Sequence, residues 1–210
     1  MDRKLKVCGM RDAVNIMQIA GLHPDYMGFI FYQKSPRYVS KEFTIPSEFP
    51  CDIKKVGVFV NETIERVLET VDRFGLDYVQ LHGNESAEYC HSIKNSSIGV
   101  IKVFSVDDDF DFSVTKEFQK AADFFLFDTK GKLYGGNAKT FDWNALKKYD
   151  QSIPFFLSGG LSATNISGIE TLSGMNIHAI DVNSGVEESP GVKSMKHLEE
   201  LKQELKNLKV

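Results

Sequence analysis

Short apolar runs rich in Val, Ile and Phe recur along the whole chain, and each is followed by a longer stretch whose apolar residues fall at helical spacing. Eight runs stand out, at residues 5–8, 26–31, 55–60, 78–81, 99–104, 124–127, 154–157 and 179–182. Apolar residues crowd these runs instead of alternating strictly with polar ones, the pattern of parallel strands covered on both faces. Between them, helices are predicted at 13–20, 62–74, 87–94, 143–149, 163–172 and 194–208. Their starts are Asp12, Asn61, Ser86, Asp142 and Ser162, and Gly21 and Gly75 act as stops. Leu198, Leu201, Leu205 and Leu208 give the last helix one apolar stripe, suited to lying on a sheet. Two stretches are irregular: 33–51, where a second helix is due but Pro36, Pro46 and Pro50 intrude, and 107–122.

Strand alternating with helix implies parallel pairing through right-handed crossovers, in an open doubly wound sheet or a closed barrel. The segment after the first run, Cys8-Gly9-Met10-Arg11-Asp12, lacks the GxGxxG of a dinucleotide fold. Eight units of about 25 residues match the small end of the (β/α)8 TIM barrel. The prediction is one α/β barrel domain over residues 1–210.

Composition narrows the partners. With 42% apolar and 26% charged residues, 210 residues can build one sizeable core. Lys plus Arg number 25 against 29 Asp plus Glu, a net charge of -4, so no overall basic field draws nucleic acid or anionic lipid. Three cysteines without CxxC spacing argue against a disulfide framework and a Cys-based zinc site, and fit a reducing cytosol. The N-terminus has no secretory apolar region, and no run approaches the length of a membrane span, so a soluble cytoplasmic protein is expected.

In a (β/α)8 barrel the site is built at the C-terminal ends of strands and in the loops that follow. That rule selects Cys8, Lys34, Arg37, Gln80, His82, Lys102, Asp128, Ser158-Gly159-Gly160 and Asp181-Val182-Asn183-Ser184-Gly185. The two glycine-bearing segments, around Gly159 and Gly160 and around Ser184 and Gly185, let backbone N–H groups approach an anion, and they follow the strands where this fold commonly holds phosphate. Tight turns are the alternative. Cys8 is a candidate nucleophile or base, against an inert buried thiol. Asp128 ends an apolar run, where a buried carboxyl can serve as an acid, against a helix cap or structural acceptor. Arg37, in Lys34-Ser35-Pro36-Arg37-Tyr38, could grip a carboxylate bidentately or simply lie on the surface.

The remaining candidates are weaker. Asp107, Asp108, Asp109 and Asp111 lack the glycine and terminal glutamate of a calcium loop and fit a solvated acidic helix start, so no metal is predicted. His82 lies at a strand end and can line a pocket, while His23, His91, His178 and His197 show no ligand spacing. Cys51 and Cys90 fall outside strand ends and are expected to be structural. The glycine-rich stretch 130–137 is long for a strand-to-helix loop and suits a lid.

These segments, in this order, resemble phosphoribosylanthranilate isomerase. The resemblance runs through Lys6-Val7-Cys8-Gly9-Met10, Gly28-Phe29-Ile30-Phe31-Tyr32, Ser35-Pro36-Arg37-Tyr38, Val56-Gly57-Val58-Phe59-Val60-Asn61 and Val79-Gln80-Leu81-His82-Gly83. It continues through Phe127-Asp128-Thr129-Lys130, Gly135-Gly136, Lys139-Thr140-Phe141-Asp142-Trp143, Leu157-Ser158-Gly159-Gly160-Leu161 and Asp181-Val182-Asn183-Ser184-Gly185-Val186-Glu187. It implies an Amadori rearrangement in tryptophan biosynthesis, without a cofactor, on a small phosphorylated substrate. Asp128 would be the general acid and Cys8 the base. Arg37 would hold the anthranilate carboxylate and Asp181 the sugar, with Gln80 and His82 in the substrate pocket. The backbone around Gly159, Gly160, Ser184 and Gly185 would hold the phosphate. The chain would act as monomer or homodimer. Arg11 stands where many relatives carry a small hydroxyl residue, and Ser194 where an acidic residue often follows the Pro-Gly segment. The rivals are an aminoaldose isomerase of histidine biosynthesis, expected to carry aspartate where Cys8 stands, and a catalytically silent barrel that only binds a phosphorylated metabolite or a protein partner.

Overall fold

A computed structural model describes residues 3–129 and 142–208. The eight runs form eight parallel strands: β1 (Lys4–Val7), β2 (Tyr26–Ile30), β3 (Lys54–Phe59), β4 (Tyr78–Leu81), β5 (Gly99–Val106), β6 (Phe124–Thr129), β7 (Phe155–Leu157) and β8 (Ile177–Val182). They pair in sequence order, and β1 closes on β8 with Lys6 opposite Asp181. The strand period of two sorts each run into two faces. Tyr26, Val56, Ile101, Val103, Leu126, Phe156 and Ala179 point inward and form the barrel interior. Val7, Phe29, Leu81, Phe125, Phe127, Leu157, Ile180 and Val182 point outward and pack with the surrounding helices. This two-sided burial explains the missing polar alternation.

At the N-terminal ends of the strands the interior is filled by rings. Tyr26 lies 5.2 Å from Phe156, Phe124 lies 5.5 Å from Phe156, and His178 stacks on Phe124 at 4.1 Å, centroid to centroid. Tyr78 joins them edge-on against Tyr26. The opposite end is left for polar side chains.

Among the described residues four α-helices surround the strands: α1 (Ala13–Ala20), α2 (Ile64–Phe74), α3 (Ala87–Lys94) and α4 (Met195–Asn207). Asp12, Thr63, Ser86 and Ser194 cap them, each side chain accepting from a backbone N–H one turn on. Ser194, at the predicted start of the last helix, thus caps it. The predicted start of α2 at Asn61 is corrected to Thr63. Asn61 instead takes a positive φ of 49° and its side chain accepts from the N–H of Asn84, tying two loops together.

Other elements differ from expectation. The predicted helices 143–149 and 163–172 are 3-10 segments, Trp143–Lys148 and Ile166–Leu172. The first is too short to repay helix nucleation, and the second is rich in β-branched residues and contains Gly168. No helix follows β2; the proline-bearing stretch instead turns back so that Tyr38 bridges Ile30. β5 runs on to Val106, two residues past the predicted end, before Asp111 caps a 3-10 segment, Phe112–Phe118. A small hairpin, β9 (Glu187–Ser189) with β10 (Val192–Lys193), follows β8 and was not predicted. Cys90 is buried as a structural cysteine should be, but Cys51 is exposed, since it falls in the proline-bearing connection and not on a packed face.

Candidate active site

The polar rim at the C-terminal ends of the strands encloses a pocket lined by Cys8, Gln80, His82, Asp128, Ser158, Gly160, Asp181, Asn183 and Ser184, with apolar walls from Ile30, Val58 and Val60. Cys8 follows β1, and its N–H still continues the ladder to the carbonyl of Val182 at 2.8 Å. The thiol needs room on the β2 side, and Gly28 supplies it. A Cβ at that position would stand 2.6 Å from Cys8 Sγ. Cys8 and Asp128, distant in sequence, therefore open into one cavity.

Asp128 is buried, and one oxygen accepts from the N–H of Thr129 at 2.9 Å. Its other oxygen lies 3.4 Å from His82 Nε2. Gln80 Nε2 stands 3.3 Å from His82 Nδ1. Gln80 Oε1 is buried and has no hydrogen-bond partner among the described residues, so a carbonyl acceptor is available at the pocket wall. The loop bearing His82 is held from behind by a buried ion pair. Lys102 Nζ lies 2.9 Å from Glu85 and donates to the carbonyl of Gly83, while Glu85 accepts from the N–H groups of Gly83 and Asn61. Lys102 therefore serves the loop from the outer face of β5 and does not line the pocket.

Beneath Cys8 on the same strand face, Lys6 is completely buried, with Nζ 2.8 Å from Asp181 Oδ1. Burial pushes the Cys8 thiol up, against the pull of the Lys6 ammonium, and the net shift is upward. Burial likewise raises Asp181, with Lys6 working the other way. Burial works against the Lys6 ammonium too, but Asp181 and Cys8 outweigh it and its net shift is upward.

Arg37 is buried, which overturns the surface alternative. It is reached by the segment that turns back after β2, where Arg11 Nη1 donates to the carbonyl of Pro36. The guanidinium meets Glu187 of β9, Nε at 2.8 Å from Oε1 and Nη2 at 2.6 Å from Oε2. Lys193 of β10 lies 2.6 Å from the same carboxylate and 2.7 Å from Asn183 Oδ1. Burial pushes Lys193 down to about 8, against the pull of Glu187. Arg37 stands behind the pocket wall and Nη1 has no acceptor among the described residues.

Gly159 and Gly160 take φ of 105° and 64°, values that favour glycine, and Gly160 brings its backbone to the pocket edge. Ser184 opens a 3-10 turn, Ser184–Val186, beside them and lines the same edge, while Gly185 packs against the backbone of Leu161. Lys34 is exposed and away from the pocket. The glycine-rich stretch 130–137 lies outside the described residues. Among the described residues no group of three or more His, Cys, Asp or Glu is arranged to hold a metal ion.

The family model of N-(5'phosphoribosyl)anthranilate (PRA) isomerase matches residues 5–204. The chain belongs to the PRA isomerase family. It is accordingly an enzyme, an isomerase of tryptophan biosynthesis. The N-(5'-phosphoribosyl)anthranilate isomerase of Parabacteroides distasonis is 42% identical over 204 residues, covering 96% of this chain and 92% of the relative. The crystal structure of the phosphoribosyl anthranilate isomerase of Thermotoga maritima superposes with a TM-score of 0.87 at 34% identity, covering 98% of this chain and 100% of that one. That relative is also described as dimeric. A PRA isomerase solved in complex with reduced 1-(o-carboxyphenylamino)-1-deoxyribulose 5-phosphate matches with a TM-score of 0.84 at 33% identity, covering 98% of this chain and 100% of that one. Membership of the PRA isomerase family decides against the aminoaldose isomerase and against a silent barrel.

Three residues around the PRA isomerase pocket escaped sequence reasoning: Lys6, Glu187 and Lys193. Lys6 carried a usable signal, a lysine inside an otherwise apolar strand, where a charge is expensive unless paired. Glu187 and Lys193 carried none, because their partners depend on a hairpin of very short strands.

Proposed function

We propose that this pocket converts N-(5-phosphoribosyl)anthranilate to 1-(2-carboxyphenylamino)-1-deoxyribulose 5-phosphate with Asp128 as general acid and Cys8 as base. The Asp128 carboxyl gives a proton to the furanose ring oxygen as its bond to C1 breaks, and the nitrogen lone pair forms the C1=N imine. The Cys8 thiolate then takes the proton from C2, and the released pair forms the C1=C2 bond while the imine pair returns to nitrogen. The enolamine tautomerises to the ketone. Hydrogen moves within one molecule, so the chemistry needs neither an external oxidant nor a cofactor.

The observation that carries this assignment is the opening of Cys8 and Asp128 into one cavity. His82, with its Nε2 3.4 Å from the carboxyl, orients the acid. Gln80 Oε1 and Asp181 offer acceptors to sugar hydroxyls. The edge formed by Gly159, Gly160, Ser184 and Gly185 takes the phosphate, and Arg37 Nη1 takes the anthranilate carboxylate once the substrate is seated. Anchoring both ends of the substrate fixes the ribose between acid and base, and such orientation is worth several kcal/mol of barrier.

A free thiol base suits a reducing compartment, and the three cysteines are unpaired, so we place the enzyme in the cytoplasm as one catalytic barrel domain. We place the enzyme as a monomer or a homodimer, the latter being the state described for the Thermotoga maritima relative. The partner is a small phosphorylated substrate, with no nucleic acid or membrane; among the described residues no helix is long and apolar enough to cross one.

The test uses the anthranilate fluorescence of synthetic substrate. Cys8→Ala and Asp128→Asn should each lower turnover by about 10²–10⁴-fold, the range for a lost general acid or base, while binding of a reduced product analogue stays within a few-fold. Turnover unchanged in either variant removes that residue from its role.

A further inference from the structure

A base built on a cysteine must have its negative charge stabilised in a pocket that is largely closed to water. We propose that Lys6 is the positioning residue for that base: its ammonium is the counterion of the Cys8 thiolate, shared with Asp181. The proposal rests on Cys8 being the base, and it concerns a residue for which the acid and base chemistry alone gives no role.

Three observations carry it. Lys6 is completely buried, so its charge must be compensated inside the barrel. Its carboxylate partner, Asp181 at 2.8 Å, uses one of three ammonium donors. Lys6 and Cys8 stand two residues apart on β1 and the turn after it, on the same inward face, so the ammonium favours the thiolate and the thiolate the ammonium. The ammonium is therefore fixed by a carboxylate on β8, with the thiol two residues further along the same face.

The other charges near Cys8 do not replace it. Lys193, from β10, also favours the thiolate, but less than Lys6, and its ammonium is held by Glu187 at 2.6 Å and by Asn183; Arg37 is committed to the same carboxylate. From β6, Asp128 faces His82, which stands at the end of β4. Asp181 itself disfavours the thiolate while it holds the ammonium in place. The base step is balanced without any further reactant: the thiolate accepts the C2 proton, becomes a thiol, and Lys6 stays protonated throughout.

The experiment follows the thiolate ultraviolet absorbance against pH, with the Cys8→Ala protein subtracted so that Cys51 and Cys90 cancel. Lys6→Met should move the midpoint up by about one pH unit or more, a tenfold loss of thiolate at any pH below it. Asp181→Asn should move it down, and Lys6→Arg, which keeps the cation, should stay near the parent. Turnover of Lys6→Met should climb with pH toward the parent value, which a merely structural role would not produce. An unmoved midpoint in Lys6→Met overturns the counterion; where that variant does not fold, an unmoved or higher midpoint in Asp181→Asn does so. Turnover that survives Cys8→Ala would remove the base and leave the titration result intact, so the two failures are distinguishable.

Discussion

Arg37 and Glu187 form a buried bidentate ion pair, with Nη2 2.6 Å from Oε2 and Nε 2.8 Å from Oε1. The carboxylate also receives Lys193, whose side chain is wholly buried, and the N–H of Gly191. Burial pushes Glu187 up, but Arg37 and Lys193 outweigh it and hold the carboxyl below its usual range. Glu187→Ala leaves two cations facing each other without compensation and should lower the unfolding free energy by about 3–5 kcal/mol, measured by urea denaturation. Arg37→Ala leaves Glu187 with Lys193 and should cost less stability than Glu187→Ala. Its main effect should be weaker binding at the anthranilate end; a Michaelis constant and turnover both equal to the parent's would remove that contact.

Gly28 sits where β2 passes the thiol. A methyl there would stand 2.6 Å from Cys8 Sγ and 3.1 Å from Cys8 Cα, and the second contact is with backbone that cannot swing aside. Gly28→Ala should therefore displace the base, lowering turnover by at least tenfold for an overpacking cost of about 1–3 kcal/mol. Parent-like turnover together with parent-like stability would show that the strand can yield.

His178 titrates against the fold. Burial pushes it from 6.5 down to about 4, and its Nε2 lies 2.7 Å from Tyr26 Oη. The unfolded chain takes up this proton at 6.5 while the folded chain refuses it until about 4, so stability from this group is complete above 6.5 and is lost as pH falls across that window. His178→Gln removes the titration and should flatten that part of the stability curve in urea titrations run on both sides of 6.5. An identical acid dependence in the variant would place its origin elsewhere.

The strands were legible because their inward and outward faces are both apolar, and Cys8, Gln80, Asp128 and Asp181 were legible because they interrupt that rule at strand ends. Capping by Asp12 and Ser86 was equally plain. What stayed hidden was set by tertiary pairing. Asp107 to Asp109 read as an acidic helix start and masked the extension of β5 to Val106, which its pairing with Thr129 of β6 sustains. The 3-10 segments look like α-helices at the level of their apolar residues, since both bury one face. Arg37 could be nominated from its turn-rich neighbourhood, but its carboxylate partner lies in β9, and nothing local to either residue announces the pair.

Among the described residues, the aromatic rings packed at the N-terminal ends of the strands close that end of the cylinder and leave the doorway at the other. Substrate and product have to use it in turn, so the departing ketose blocks the next arrival, and traffic through the mouth can limit throughput as readily as proton transfer does. The same division of labour frees the mouth to change: loops there can be rewritten by mutation while the stacked rings at the far end keep the staves together.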